Sequence, residues 1–85
     1  MSFGAVRVGD MVLSTGPNSS GPFITGSHDV FHDMRPAVRL GDLAAPGPAI
    51  TGSHSVFINM MPAVRLIDQV ANGIITEAST TTFIW

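Results

Sequence analysis

Three histidines, at positions 28, 32 and 54, and the neighbouring Asp33 are the side chains of this sequence with the plainest chemistry. Neutral imidazoles completed by Asp33 or a water can form a tetrahedral or octahedral metal site, and a donor set without thiolate suits iron or zinc. His28 and His54 occupy matching places in two copies of one segment, with Thr80 at the third matching place. A body that relates the copies by rotation could therefore bring both rings to one axis. His32 follows His28 by four residues, which on an extended strand is the same face but roughly 13 Å away. A turn must intervene if both are to hold one ion at ~2 Å. The competing reading makes them ordinary residues, with His28 and His54 in turns beside Ser27 and Ser53, and His32 exposed. A metal-held structure would loosen below pH ~6, because ligating imidazoles must be neutral. Hydrolysis by a metal-bound water of pKa ~7 would need an open coordination position, a general base and a cleft. A chain of 85 residues leaves little room for that.

The elements that must position these residues are announced by a repeat. Residues 22–42 return without a gap as residues 48–68, each displaced by 26 positions. A weaker third pass runs from Gly73 to Trp85, aligning Ser27 with Ser53 and Ser79, and Phe31 with Phe57 and Phe83. At the other end, Val6-Arg7-Val8-Gly9-Asp10 matches Val38 to Asp42 and Val64 to Asp68, so half a unit stands at each terminus. A repeat of this period means a supersecondary unit that cannot bury its apolar face alone. Three such units predict one body with approximate threefold symmetry.

Composition narrows the function. The chain has no cysteine and no lysine, 12% charged and 45% apolar residues, and a net charge of −2. A domain this small buries only roughly 60% of its unfolded surface and needs a metal or a partner where disulfides are excluded. Low charge predicts an exterior covered in part by something else. Without a basic stripe, a nucleic-acid partner is not expected. No stretch approaches a membrane span and no leader-like start is present, so synthesis in the cytoplasm without a signal peptide is expected.

Nine glycines and six prolines break every helical pattern, whereas short Val, Ile, Phe and Thr runs between Gly, Pro, Asn and Ser clusters predict strands. Strands are expected at Val30-Phe31, Ala37 to Leu40, Ser55 to Ile58, Ala63 to Ile67 and Thr80 to Ile84. Each unit reads as a hairpin, with Pro36 and Pro62 at a strand start and Gly41-Asp42 breaking the strand. The connector 11–23 is longer than its counterpart 43–49 and reads as a Gly/Pro/Ser/Asn loop, with a flexible linker over 16–21 as the rival view. Phe31, Phe57 and Phe83, with Val30 and Val56, are expected in the core. Ile84 and Trp85 are expected to tuck into the last sheet. Asp10, Asp42 and Asp68 each stand three residues after Arg7, Arg39 and Arg65, and are expected to close turns while the arginines reach a neighbouring carboxylate or a partner. No domain boundary is visible, and residues 1–85 read as one domain.

Pro36-Ala37-Val38-Arg39 and Pro62-Ala63-Val64-Arg65 each differ by one residue from a Pro-Ala-Ala-Arg signature, and each is followed by Leu-x-Asp, similar to Arg-x-Gly-Asp. Ahead of them, Ile24-Thr25-Gly26-Ser27-x-x-Val30 and Ile50-Thr51-Gly52-Ser53-x-x-Val56 are similar to a Gly-Ser-x-x-Val stretch, and Asn59 falls where an Asn-Gly turn would be. On these motifs, in matching flanks over nearly the whole chain, the sequence resembles the PAAR-repeat family. The resemblance implies an all-β fold, a small conical three-unit β-repeat with pseudo-threefold symmetry. It also implies a function, that of a tip on the trimeric β-helical spike of a contractile injection system (type VI secretion, a contractile phage tail or a related extracellular particle).

One tip per trimer, meeting three identical chains with three similar patches, would resolve the difference in stoichiometry. The tip would sharpen the spike for piercing, touch the target membrane transiently, act on no small-molecule substrate and catalyse nothing. It would travel on the particle or virion tail to the outside of the cell. The family's usual metal, bound through three histidines and one cysteine from the loops after Arg-x-Gly-Asp, does not carry over by position. Those loops here are Met11 to Ser14, Leu43 to Ala45 and Gln69 to Ala71. The metal expectation, zinc or iron, therefore rests on His28, His54 and His32. A freestanding β-repeat binding module is the alternative function, and a small metal-dependent hydrolase a more remote one.

Overall fold

The computed structural model describes residues 3–84. Among them there is no helix, and the ten strands are short, as the density of glycine and proline requires. The fold is a small all-β, PAAR-like one. Two continuous hairpins stand in the repeats, but their second strands end at Pro36 and Pro62 where the sequence suggests strand starts, and Ala37 and Ala63 beyond them form only isolated bridges. The first pairs β4 (Phe31–His32) with β5 (Arg35–Pro36), and the second pairs β6 (Phe57–Ile58) with β7 (Met61–Pro62). The third pair is assembled from the two ends of the chain, β1 (Phe3–Gly4) against β10 (Phe83–Ile84), with Gly4 opposite Phe83 as Pro36 is opposite Phe31. The half units at the termini therefore complete one another.

Backbone hydrogen bonds close the three units into a ring. The amide of Val38 donates to the carbonyl of Val6 (3.1 Å), that of Val6 to Val64 (3.1 Å), and that of Val64 to Val38 (3.2 Å). Three antiparallel bridges follow the same cycle, Arg7 to Ala37, Arg39 to Ala63 and Arg65 to Ala5. Outside this ring, Ser27, Ser53 and Ser79 each donate their amide to Ala37, Ala63 and Ala5 at 2.8 Å. Such closure satisfies backbone groups that short strands would otherwise leave unpaired.

The core follows the ring in two layers. At the hairpin end, Ala5, Ala37 and Ala63 pack with Ile58 and Ile84, and Val30 and Val56 pack against them. Beyond, Val6, Val38 and Val64 pack with Val12, Phe23, Val70 and Ile75. The residues nearest the axis are small because three chains converge there. The connector expected to be loop contributes strand instead. β2 (Met11–Ser14) lies inside a four-stranded antiparallel sheet of order β3-β2-β9-β8, with β3 (Gly21–Pro22), β8 (Gln69–Val70) and β9 (Gly73–Ile75). Its Val12 points into the core while Met11 and Leu13 stay exposed, which is the period of a half-buried strand. Within 16–21, the Ser20 hydroxyl accepts from the Ser14 amide, and the Asn18 amide group of the same loop donates to the Pro46 carbonyl.

The core placement of the phenylalanines is corrected. Phe31, Phe57 and Phe83 are 53%, 57% and 58% exposed. Successive strand residues face opposite ways, and Ile58 and Ile84 take the inward positions, leaving the preceding phenylalanine outside. Phe23, in the longer connector, is the buried aromatic. Ile84 is buried as expected, and Trp85 lies outside the described residues.

Candidate functional site

Of the residues singled out for chemistry, His32 and Asp33 lie in the first hairpin. His32 and Arg35 face one another across β4 and β5, joined by a two-residue turn of Asp33 and Met34. Both turn residues have positive φ, 53° and 67°, and Asn59 and Met60 repeat them at 51° and 67°. Positive φ at both central positions is the type I′ turn, which matches the twist of a two-stranded hairpin and favours Asn or Asp followed by Gly. The first position conforms. The second carries methionine in both hairpins, and these side chains are 94% and 93% exposed.

The turn residues Asp33 and Asn59 are the plugs between units. The Asp33 carboxylate accepts from the hydroxyls of Ser79 and Thr81 and, at 2.9 Å, from the Arg7 guanidinium. Hydrogen bonds from Ser79 and Thr81, with the nearby Arg7 charge, hold its carboxyl below the usual range. In the next unit Asn59 accepts from Arg39 (3.3 Å) and from Ser27, and its amide donates to Asp29 (2.8 Å). Bonds from Asn59 and Ser27 lower the Asp29 carboxyl as well.

Behind these plugs each arginine grips the aspartate three residues on. Asp42 accepts from the Arg39 amide (2.7 Å) and its Nε (3.0 Å), Asp68 does the same with Arg65 (2.7 and 2.9 Å), and Asp10 with Arg7 (2.8 and 3.0 Å). The aspartates are buried and close the expected turns, each donating its own amide back to the arginine carbonyl. Burial raises the Asp68 carboxyl, but bonds from Arg65 and Thr51 outweigh it and leave it below its ordinary value. Arg7 alone combines this grip with the predicted reach to a neighbouring carboxylate, that of Asp33.

The seam where the chain ends meet departs from the other units. An open cleft of about 570 Å³ lies there, lined by Gly4, Arg7, Asp10, Arg35, Glu77 and Phe83 among others. In place of the threonine hydroxyl that serves Asp42 and Asp68, Asp10 takes an ion pair from Arg35 at 2.8 Å. Glu77, at the threonine position, instead accepts from the Met11 amide.

The three histidines separate by environment. His28 and His54 are exposed at equivalent bends, whereas His32 is half-buried and occupies the place of Ile58 and Ile84. Its Nε2 is buried without a hydrogen-bond partner, and burial pushes its pKa below the ordinary value, against the pull of Asp33. Among the described residues no three His, Cys, Asp or Glu side chains stand together as a metal would require. What the sequence did not disclose is the apolar rim of Met34, Met60 and the three phenylalanines. The signal was available in the two turns, where Asp-Met and Asn-Met stand in place of Asn-Gly.

A family model described as the PAAR motif matches residues 14–75. No curated protein matches the chain.

Proposed function

The chain belongs to the PAAR motif family, and from that premise we propose that it is a non-catalytic tip, seated on the trimeric β-helical spike of a contractile injection machine. Proteins carrying this motif are known from such spike tips. The observation that carries the reading is the closed ring of Val6, Val38 and Val64, one backbone hydrogen bond per unit around a pseudo-threefold axis. A single chain with three similar faces can meet three identical chains without leaving two of them unmatched.

In this role the tip closes the end of the spike, shields its strand edges and concentrates force on the target membrane, which it touches only in passing. It takes no nucleic acid and no small-molecule substrate. It is made in the cytoplasm and leaves the cell at the front of the particle. The buried Arg-Asp grips and the plugs of Asp33 and Asn59 support the reading, since a piercing element must resist shear between its units.

Native mass spectrometry of the chain recovered with its endogenous partner tests the proposal. One chain per three identical partner chains is expected. A freestanding binding module, the alternative, would pair at 1:1 or with itself, and that stoichiometry would remove the tip reading.

A further inference from the structure

We propose that Met34 and Met60 are paired anchors by which the hairpin end seats in apolar pockets on a protein trimer, an inference that rests on the reading of this chain as a spike tip. Each methionine holds the second central position of its turn at φ 67°. There an L-residue brings its Cβ against the following carbonyl, and glycine is the residue without that cost. Each is also almost wholly exposed. Two unfavourable features thus coincide at both positions. The residues flanking the two turns differ between the hairpins, His32 and Arg35 in one, Ile58 and Met61 in the other, yet methionine stands in both. A strained backbone that presents a bare apolar side chain, twice, at one level of a pseudo-threefold body, points to a contact made outside the chain.

The surroundings define the partner. Phe31, Phe57 and Phe83 stand beside the turns, more than half exposed. The charges of the hairpin are engaged inward, Asp33 by Ser79, Thr81 and Arg7, and Arg35 by Asp10. An apolar rim of this kind fits a protein surface with apolar pockets better than anionic headgroups or phosphates. Methionine, unbranched and polarizable, fills such pockets readily.

The test titrates the chain against the trimeric partner recovered with it, using wild type, Met34→Gly, Met60→Gly and the double variant. Each single substitution is expected to weaken binding about 10-fold and the double about 100-fold. The free variants should melt higher by a few degrees, since glycine relieves the turn. That opposition of affinity and stability is not what a merely structural residue would give. Met34→Leu, which keeps an apolar side chain, should retain most of the affinity. Peroxide should oxidise both methionines in the free chain and spare them in the complex.

Equal binding by all glycine variants, one per trimer, would overturn the anchors and leave the tip reading standing. No binding of wild type to that trimer would remove both. Methionine-dependent self-association, or methionine-dependent binding to phosphatidylcholine vesicles, would assign the rim to a second copy or to lipid and so overturn the proposal.

Discussion

The second hairpin unit and the seam unit have the same backbone and different chemistry. In the former, Pro62 rests on Gly52, where an added Cβ would come within 2.8 Å of the proline Cβ. At the seam the sizes are exchanged, with Gly4 against Ala78, whose Cβ would be 3.1 Å from one placed on Gly4. Asp68 is served by Thr51, while Asp10 is served by Arg35. Met61 gives way to Phe3, whose ring lies 5.9 Å from the Arg65 guanidinium carbon. The ring geometry is thus kept with different side chains at equivalent contacts, and Asp10 keeps a side-chain donor where the threonine is lost.

The largest effect is expected from cutting the buried grips. Asp68→Ala leaves Arg65 without its carboxylate and should lower stability by about 3–5 kcal/mol in denaturant unfolding. Asp10→Ala leaves Arg35 without its carboxylate and breaks the grip on Arg7, which keeps its ion pair with Asp33, and should cost more than Asp68→Ala. Equal losses would mean that Arg35 adds nothing at the seam. Next, Gly4→Pro places a ring against Ala78 and should destabilise by about 1–3 kcal/mol. Adding Ala78→Gly removes the side-chain part of the clash but leaves the Ser79 carbonyl, 2.6 Å from a Cβ on Gly4, and should recover only part of that loss. Additive losses in the double variant would show that the exchange is not compensatory.

The first hairpin sharpens the comparison from the other side. Its His32 stands where the second hairpin has Ile58 and the seam has Ile84. His32→Ile removes a buried nitrogen without a partner and should stabilise by about 1–3 kcal/mol. The pH dependence has a fixed sign. Because the His32 pKa is lower folded than unfolded, its contribution is fully present above the unfolded value near 6.5 and is lost as pH falls from there through the folded value. Melting temperatures of wild type should therefore decline from pH 7 towards 5, and those of His32→Ile should decline less. The smallest effect belongs to Phe3→Met, which gives the seam the residue of the second hairpin. It should cost about 0.5–1 kcal/mol through the lost stacking with Arg65. A variant as stable as wild type would show that this contact is energetically silent.

Much of the architecture was legible because internal repetition is a statement about equivalent environments. The spacing of 26 residues, the terminal half units and the Arg-to-Asp interval each correspond to an element of the ring. The phenylalanines were misplaced because a two-residue strand carries too little alternation to tell its faces apart. Strand β2 was missed because Met11 to Ser14 precedes a Gly/Pro/Ser/Asn run, and its partner β9 lies far along the chain. His28 and His54 hold matching places in the repeat and both stay exposed, whereas His32 sits where a neighbouring strand half-buries it.

By itself the sequence determined the number of units, their order, the turn positions and the low net charge, because these depend on residue type and local spacing. Only the tertiary structure decided which side of each short strand faces the axis, how the two chain ends pair to complete the third unit, and which polar atoms lose their water. Those outcomes follow from closing the ring, where burial is set by neighbours distant in sequence.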